Sequence, residues 1–116
     1  MDDDCLFCRI VAGEIPAKPV HETGMILAFR DIDPKAPVHV LVIPKTHHPD
    51  VAALASADPG LAGELLAAAG AVAAAEGLGA DGYRVIFNTG AHAGQEVFHV
   101  HAHVLGGTAL GPMLAR

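Results

Sequence analysis

The sequence predicts an α+β domain built on an antiparallel sheet. Strand-like runs come first, one long helical stripe follows, and further strand-like runs close the chain, joined by tight turns. The 116 residues suit a single domain, 1–116, large enough for a hydrophobic core. A hydrophobic content of 52% excludes a disordered chain, and the absence of Trp makes the expected core aliphatic.

Residues 5–12 read as a short helix, with Leu6, Arg9 and Ile10 at i, i+3, i+4 spacing and Gly13 as its stop. Val20-His21-Glu22 reads as a short edge strand. After a Thr23-Gly24 turn, Met25 to Arg30 is a strand. Two prolines and two aspartates make Asp31 to Pro37 a loop. Val38 to Ile43 is the next strand, ended by Pro44, with His39, Leu41 and Ile43 on one face and Val40 and Val42 on the other.

Asp50 to Ala55 reads as a short helix. Asp58 as N-cap and Pro59 at N1 start a longer one, about 30 Å over some twenty residues, ended by Gly77 and Gly79. Leu61, Leu65, Ala68, Val72 and Ala75 form its apolar stripe. Its Ala-rich surface, with Gly63 and Gly70, suits close approach of a second helix. Asp81-Gly82 turns into a strand over Tyr83 to Asn88. Thr89 to Gln95 is a Gly/Ala-rich loop, Val97 to Leu105 is the last long strand, and an irregular tail runs from about 108.

The net charge of −6 argues against a polymeric nucleic acid partner, which needs a cationic surface, but leaves a mononucleotide open. Asp2, Asp3 and Asp4 stand where a signal peptide carries positive charge. The most apolar run, Leu65 to Ala75, falls short of the ~20 residues of a membrane span. The expectation is a cytoplasmic protein with no membrane contact. Cys5 and Cys8 form a Cys-x-x-Cys pair, which reads as a metal half-site, a redox pair or two buried thiols.

The most informative stretch is Phe98 to Gly107, where His99, His101 and His103 alternate with apolar residues before two glycines. On a strand the three imidazoles share one face at roughly 6–7 Å spacing. One reading is a metal site, since neutral imidazole ligates zinc. A second is covalent catalysis, because histidine's ordinary pKa of about 6.5 leaves a neutral nucleophile at pH 7. The bland alternative is a strand with incidental histidines, which strict alternation of three makes poor. His21 and His92 read as surface residues, and Lys45 as a solvated one.

The run Asn88 to Gly107 resembles the histidine triad motif, His-φ-His-φ-His-φ-φ, with its upstream Asn and Gly-Gln. Phe29-Arg30-Asp31-Ile32, Ala36-Pro37-Val38-His39 and Val42-Ile43-Pro44-Lys45 match further upstream, so the likeness spans residues 5 to 114. The chain resembles the histidine triad nucleotide-binding branch. The resemblance implies a five-stranded antiparallel sheet and a homodimer whose sheets run on into each other. It implies hydrolysis or transfer at the α-phosphate of purine nucleotides, as phosphoramidates or adenylates. Hydrolysis of dinucleoside polyphosphates, zinc-dependent hydrolysis, and a nucleotide-binding interaction protein with vestigial catalysis are the alternatives.

Carried over by position, His101 is the nucleophile and forms a nucleotidyl-histidine. His103 binds and polarises the phosphate. His99 orients its neighbours through side chain or backbone carbonyl, and His39 stands close to the nucleophile. Asp31 accepts from the ribose hydroxyls, with Ile32 and Phe29 near the base. Asn88, Gly94 and Gln95 hold ribose or phosphate, with Glu96 and Val97 next to them. The resemblance also implies a structural zinc on Cys5, Cys8, His47 and His99, a closed set with no place for metal catalysis; His48 is the competing ligand. No catalytic metal or organic cofactor is implied. Three departures stand out. Glu96 replaces a serine found in some members, Ala102 is smaller than the usual branched residue, and Thr108 stands where Arg is common.

Overall fold

The computed structural model describes residues 4–114; Asp2 and Asp3, and the end of the tail, lie outside the described residues. The elements are α1 (Leu6–Val11), β1 (Pro19–Glu22), β2 (Ile26–Arg30), β3 (Val38–Pro44), α2 (Val51–Ala57), α3 (Pro59–Ala75), β4 (Tyr83–Ile86) and β5 (Ala102–Gly106), with a single 3₁₀ turn over Ala91–Ala93. The five strands form one antiparallel sheet in the order β1-β2-β3-β5-β4. The α+β expectation therefore holds. Among the described residues, no helix is long and apolar enough to cross a membrane.

Alternation along β3 divides the interior in two. Val40 and Val42 face the α3 side, with Ile26, Ala28, Ala102 and Val104 from the flanking strands. Leu41 and Ile43 face the other side, with Leu27, Phe29 and, from α1, Phe7. Strand partners project to the same face, so the pairing of Leu41 with His103 sets His103 on the α1 side, diagonal to His39. His39 and His103 thus occupy the face opposite the long helix.

Both longer helices start as their sequences require. Asp50 Oδ1 accepts the Ala53 N–H at 2.8 Å, and Asp58 Oδ1 accepts the Leu61 N–H at 3.1 Å, with Pro59 following in the first turn. Helix α3 is shorter than expected, at 17 residues. Its buried stripe is centred towards Ala69 and Ala73, which leaves Ala75 exposed. Helix α1 also differs: Phe7 is buried and Leu6 is 43% exposed, because the helix docks by its aromatic residue against Phe29.

The largest correction concerns the last strand. Val97 to Leu105 is expected to be one strand, but only Ala102–Gly106 is paired. Its partners run out: β4 stops at Ile86, opposite His103, and the ladder to β3 ends at the Val42–Ala102 pair. Upstream, the Val100 N–H donates instead to the His48 carbonyl at 2.7 Å. Strand β4 likewise stops two residues before Asn88. The Gly106-Gly107 stop has a steric basis. A Cβ on Gly106 would lie 2.9 Å from the Leu78 methyls, and Gly107 has φ +91°.

Candidate active site and metal cluster

Histidines 99, 101 and 103 lie in sequence order along the sheet end, but they are not equivalent. Only His103 is on the paired strand; His99 and His101 precede it. The His101 and His103 rings stand 4.9 Å apart, and the His39 ring is 5.2 Å from that of His103. His99 is fully buried and turns towards the cysteines. Phe7 packs its ring edge-on against both His99 and His101, at 5.9 and 5.1 Å. Sequence reasoning missed Phe7; its place between the two cysteines was the available signal.

The hydrogen bonds assign the tautomers. His101 Nδ1 lies 2.8 Å from the His99 carbonyl oxygen, which can only accept, so Nδ1 carries the proton. The lone pair of neutral His101 is therefore on Nε2. The Lys35 backbone N–H donates to His39 Nδ1 at 3.0 Å, so neutral His39 carries its proton on Nε2. That proton points to His103 Nδ1, 2.9 Å away. Neutral His103 then carries its own proton on Nε2. The result is a nucleophilic lone pair on one ring and an N–H donor on its neighbour.

Burial keeps these rings neutral. It lowers the pKa of His39 and of His101, and pushes His103 down to about 4, where repulsion between protonated rings at His101, His39 and His103 adds to the cost of charging it. Asp31 Oδ2 is 3.4 Å from His39 Nε2, and its Oδ1 accepts the Asp33 N–H at 2.8 Å. Asp31, His39 and His103 also bring donor atoms within 4.8 Å of one another. Because His39 Nδ1 is already an acceptor, this trio reads as a hydrogen-bonded chain, not an open ligand set.

The second cluster is different in kind. Cys5 Sγ, Cys8 Sγ and the His47 and His99 ring nitrogens all lie within 4.8 Å of one another. His99 Nε2 donates to the Pro44 carbonyl at 2.8 Å, which leaves Nδ1 as a lone pair facing Cys5 Sγ at 3.3 Å and Cys8 Sγ at 3.5 Å. His47 Nδ1 is 3.5 Å from Cys8 Sγ. Tetrahedral bonds of zinc length put N and S donors roughly 3.5 Å apart, so the set fits a metal ion of that kind. His48 offers its backbone carbonyl to Val100 and has no part in the cluster. A cavity of about 270 Å³ opens beside it, between Leu6, His47 and Glu96 to Phe98.

The remaining expected site residues lie around the histidines in different states. Ile32 is 99% exposed on the loop after β2, whereas Phe29 is buried against Phe7. Asn88 is half-buried at the start of the loop that follows β4, and Glu96 and Val97 end that loop. The Gly94 N–H donates to the Ala91 carbonyl and the Gln95 N–H to the Gly90 carbonyl, both within the loop. His21 is half-buried and His92 exposed. Lys45 donates to Glu22 at 2.6 Å.

The five-stranded sheet thus presents a neutral imidazole lone pair beside an imidazole N–H donor. Residues 12–110 match the HIT domain model. Over 115 residues, covering 99% of this chain and 97% of the other, the sequence is 44% identical to the purine nucleoside phosphoramidase of Escherichia coli strain K12. Among solved structures, it is similar to a HIT family hydrolase from Legionella pneumophila Philadelphia 1 (TM-score 0.89, 48% identity, covering 93% of this chain and 96% of that one). Another from Clostridium thermocellum gives a TM-score of 0.93 at 40% identity, covering 99% and 100%. The chain belongs to the HIT family.

Proposed function

We propose that this protein hydrolyses purine nucleoside phosphoramidates or adenylates at the α-phosphate, through a nucleotidyl-histidine on His101. The observation that carries this reading is the tautomer pair: a lone pair on His101 Nε2 beside a proton on His103 Nε2. His101 Nε2 attacks phosphorus and the bond to the leaving group breaks; an amine leaving group takes a proton from solvent water, and the carboxylate of an adenylate departs as the anion. Water then attacks the same phosphorus, and the P–N bond to His101 breaks to release the mononucleotide. His103 donates to a phosphoryl oxygen as charge builds on it. The phosphoramidase name of the similar Escherichia coli protein supports this substrate class.

Asp31 accepts from the ribose, and exposed Ile32 covers the base; Phe29, being buried, supports this side from beneath. Asn88 and the Gly94 to Val97 loop face the phosphate. Among the described residues, the Glu96 and Val97 N–H groups have no protein acceptor, which leaves them for phosphate oxygens.

Cys5, Cys8, His47 and His99 would hold a structural zinc, which would cross-link α1 to the β3 end and to the histidine segment. A second copy of the chain completes the molecule. Gly63 and Gly70 on α3 have nothing within 4 Å of where a Cβ would be, and β4 is an edge strand with Tyr83 and Val85 exposed. Both features suit pairing of two helices and continuation of the sheet.

The test is a set of adenosine 5′-phosphoryl substrates that differ only in leaving group, given to wild type and to His101→Ala. Wild type turns over the amide, and the variant loses turnover while still binding AMP. Retained turnover in the variant overturns the nucleophile assignment.

A further inference from the structure

Gln95 precedes the histidine segment in a position where a substrate ligand is expected. Its amide, however, is already engaged within the protein. Oε1 accepts the Gly90 N–H at 2.9 Å, and Nε2 donates to the Pro49 carbonyl at 2.8 Å and to the Val97 carbonyl at 3.1 Å. A primary amide has two N–H donors, and both are taken. What remains is a lone pair on Oε1, which repels a phosphate oxygen. The side chain is 7% exposed, and the backbone N–H closes on the Gly90 carbonyl.

Three segments meet at this one side chain. Gly90, in the loop after β4 just before its 3₁₀ turn, has φ +79°. Pro49 belongs to the turn between β3 and α2, next to His48, whose carbonyl takes the Val100 N–H. Val97 stands two residues before His99, whose carbonyl holds the His101 tautomer.

We propose that Gln95 is a positioning residue, which clasps the loop after β4 to the β3–α2 turn and so sets the placement of the Val97–His101 backbone. It acts without touching substrate. A displaced Val97 carries with it the loop N–H groups and the carbonyl that orients the nucleophile. The inference rests on the phosphoryl-transfer reading above.

Two variants separate its bonds. Gln95→Glu keeps the acceptor for Gly90 but turns a carboxylate without donors on two carbonyls. Gln95→Met fills the same volume with no hydrogen bond. In both, kcat for an AMP-amide is expected to fall by roughly 100-fold, the scale of a misplacement of about 1 Å, with KM changed less than about threefold. In the wild type, the Gln95 side-chain amide resonances, followed by ¹⁵N NMR, stay protected from exchange and do not move as AMP is added. Amide resonances that follow AMP overturn the proposal in favour of a direct ligand. So does a Gln95→Met protein that is less stable but keeps wild-type kcat when folded, which is a structural role only. The failures are separable: absence of wild-type turnover removes the functional reading, whereas an amide that follows AMP removes the clasp.

Discussion

The chemistry of this site rests on where single protons sit. Three carbonyl or N–H partners, at His99, Pro44 and Lys35, each fix one ring nitrogen of a histidine. None of the three uses a side chain, so no residue type in the sequence announces them. The buried rings also link stability to pH. His103 is held at about 4 in the folded protein, against an ordinary value of 6.5 that applies when the chain is unfolded. Between those values the unfolded chain binds more protons, so stability rises with pH through that window and is lost on acidification. The melting temperature is expected to fall as pH is lowered from 6.5 towards 4. His103→Gln should flatten part of that slope, and an unchanged slope would mean that His103 is not the group responsible.

At the level of elements, the histidine row is a short strand with an unpaired lead. Alternation of apolar residues and histidines over Val97 to Leu105 reads as one strand because periodicity reports which side chains alternate, not which backbones find partners. The partners end early, and the His48 carbonyl captures Val100 in their place. That departure lets His99 turn into the metal cluster while His101 stays with His103. The far end of the strand is set by contact between Gly106 and Leu78. Gly106→Ala is expected to destabilise the fold by about 1–3 kcal/mol through overpacking, and Leu78→Ala in the same chain to recover part of the loss. Chemical denaturation of the single and double variants measures both. Equal destabilisation by Gly106→Ala in either background would show that the Leu78 contact is not the cause.

Across the whole molecule, the sheet separates two jobs. The α1 face carries the histidines proposed for the chemistry and the cysteine–histidine set that fits a metal, and the α3 face carries the larger core. The proposed metal set lies on the α1 face and the proposed subunit contact on α3 and β4, so metal removal is expected to leave assembly unchanged. Chelation is expected to lower the melting temperature by freeing α1 from the β3 end, and sedimentation is expected to report twice the 11.9 kDa of one chain with and without chelator. Dissociation on chelation would place the metal at the subunit contact instead. A melting temperature insensitive to chelator would remove the structural role of the metal.

Much of this protein was legible in its sequence. The strands, the Asp58-Pro59 helix start and the alternation on β3 follow from local periodicity and from backbone groups that only certain residues satisfy. The Cys5-Cys8 pair and the histidine spacing point to a metal set and a nucleophile, because those side chains carry their chemistry with them. What tertiary structure decided is how like residues diverge. His99, His101 and His103 have the same side chain and the same spacing, yet one faces two thiols, one is held by a carbonyl and one accepts from His39. Gln95 likewise reads as a ligand until Pro49 and Val97 occupy its donors. These roles depend on partners distant in sequence, many of them backbone atoms, which come within hydrogen-bonding distance only once the chain has folded.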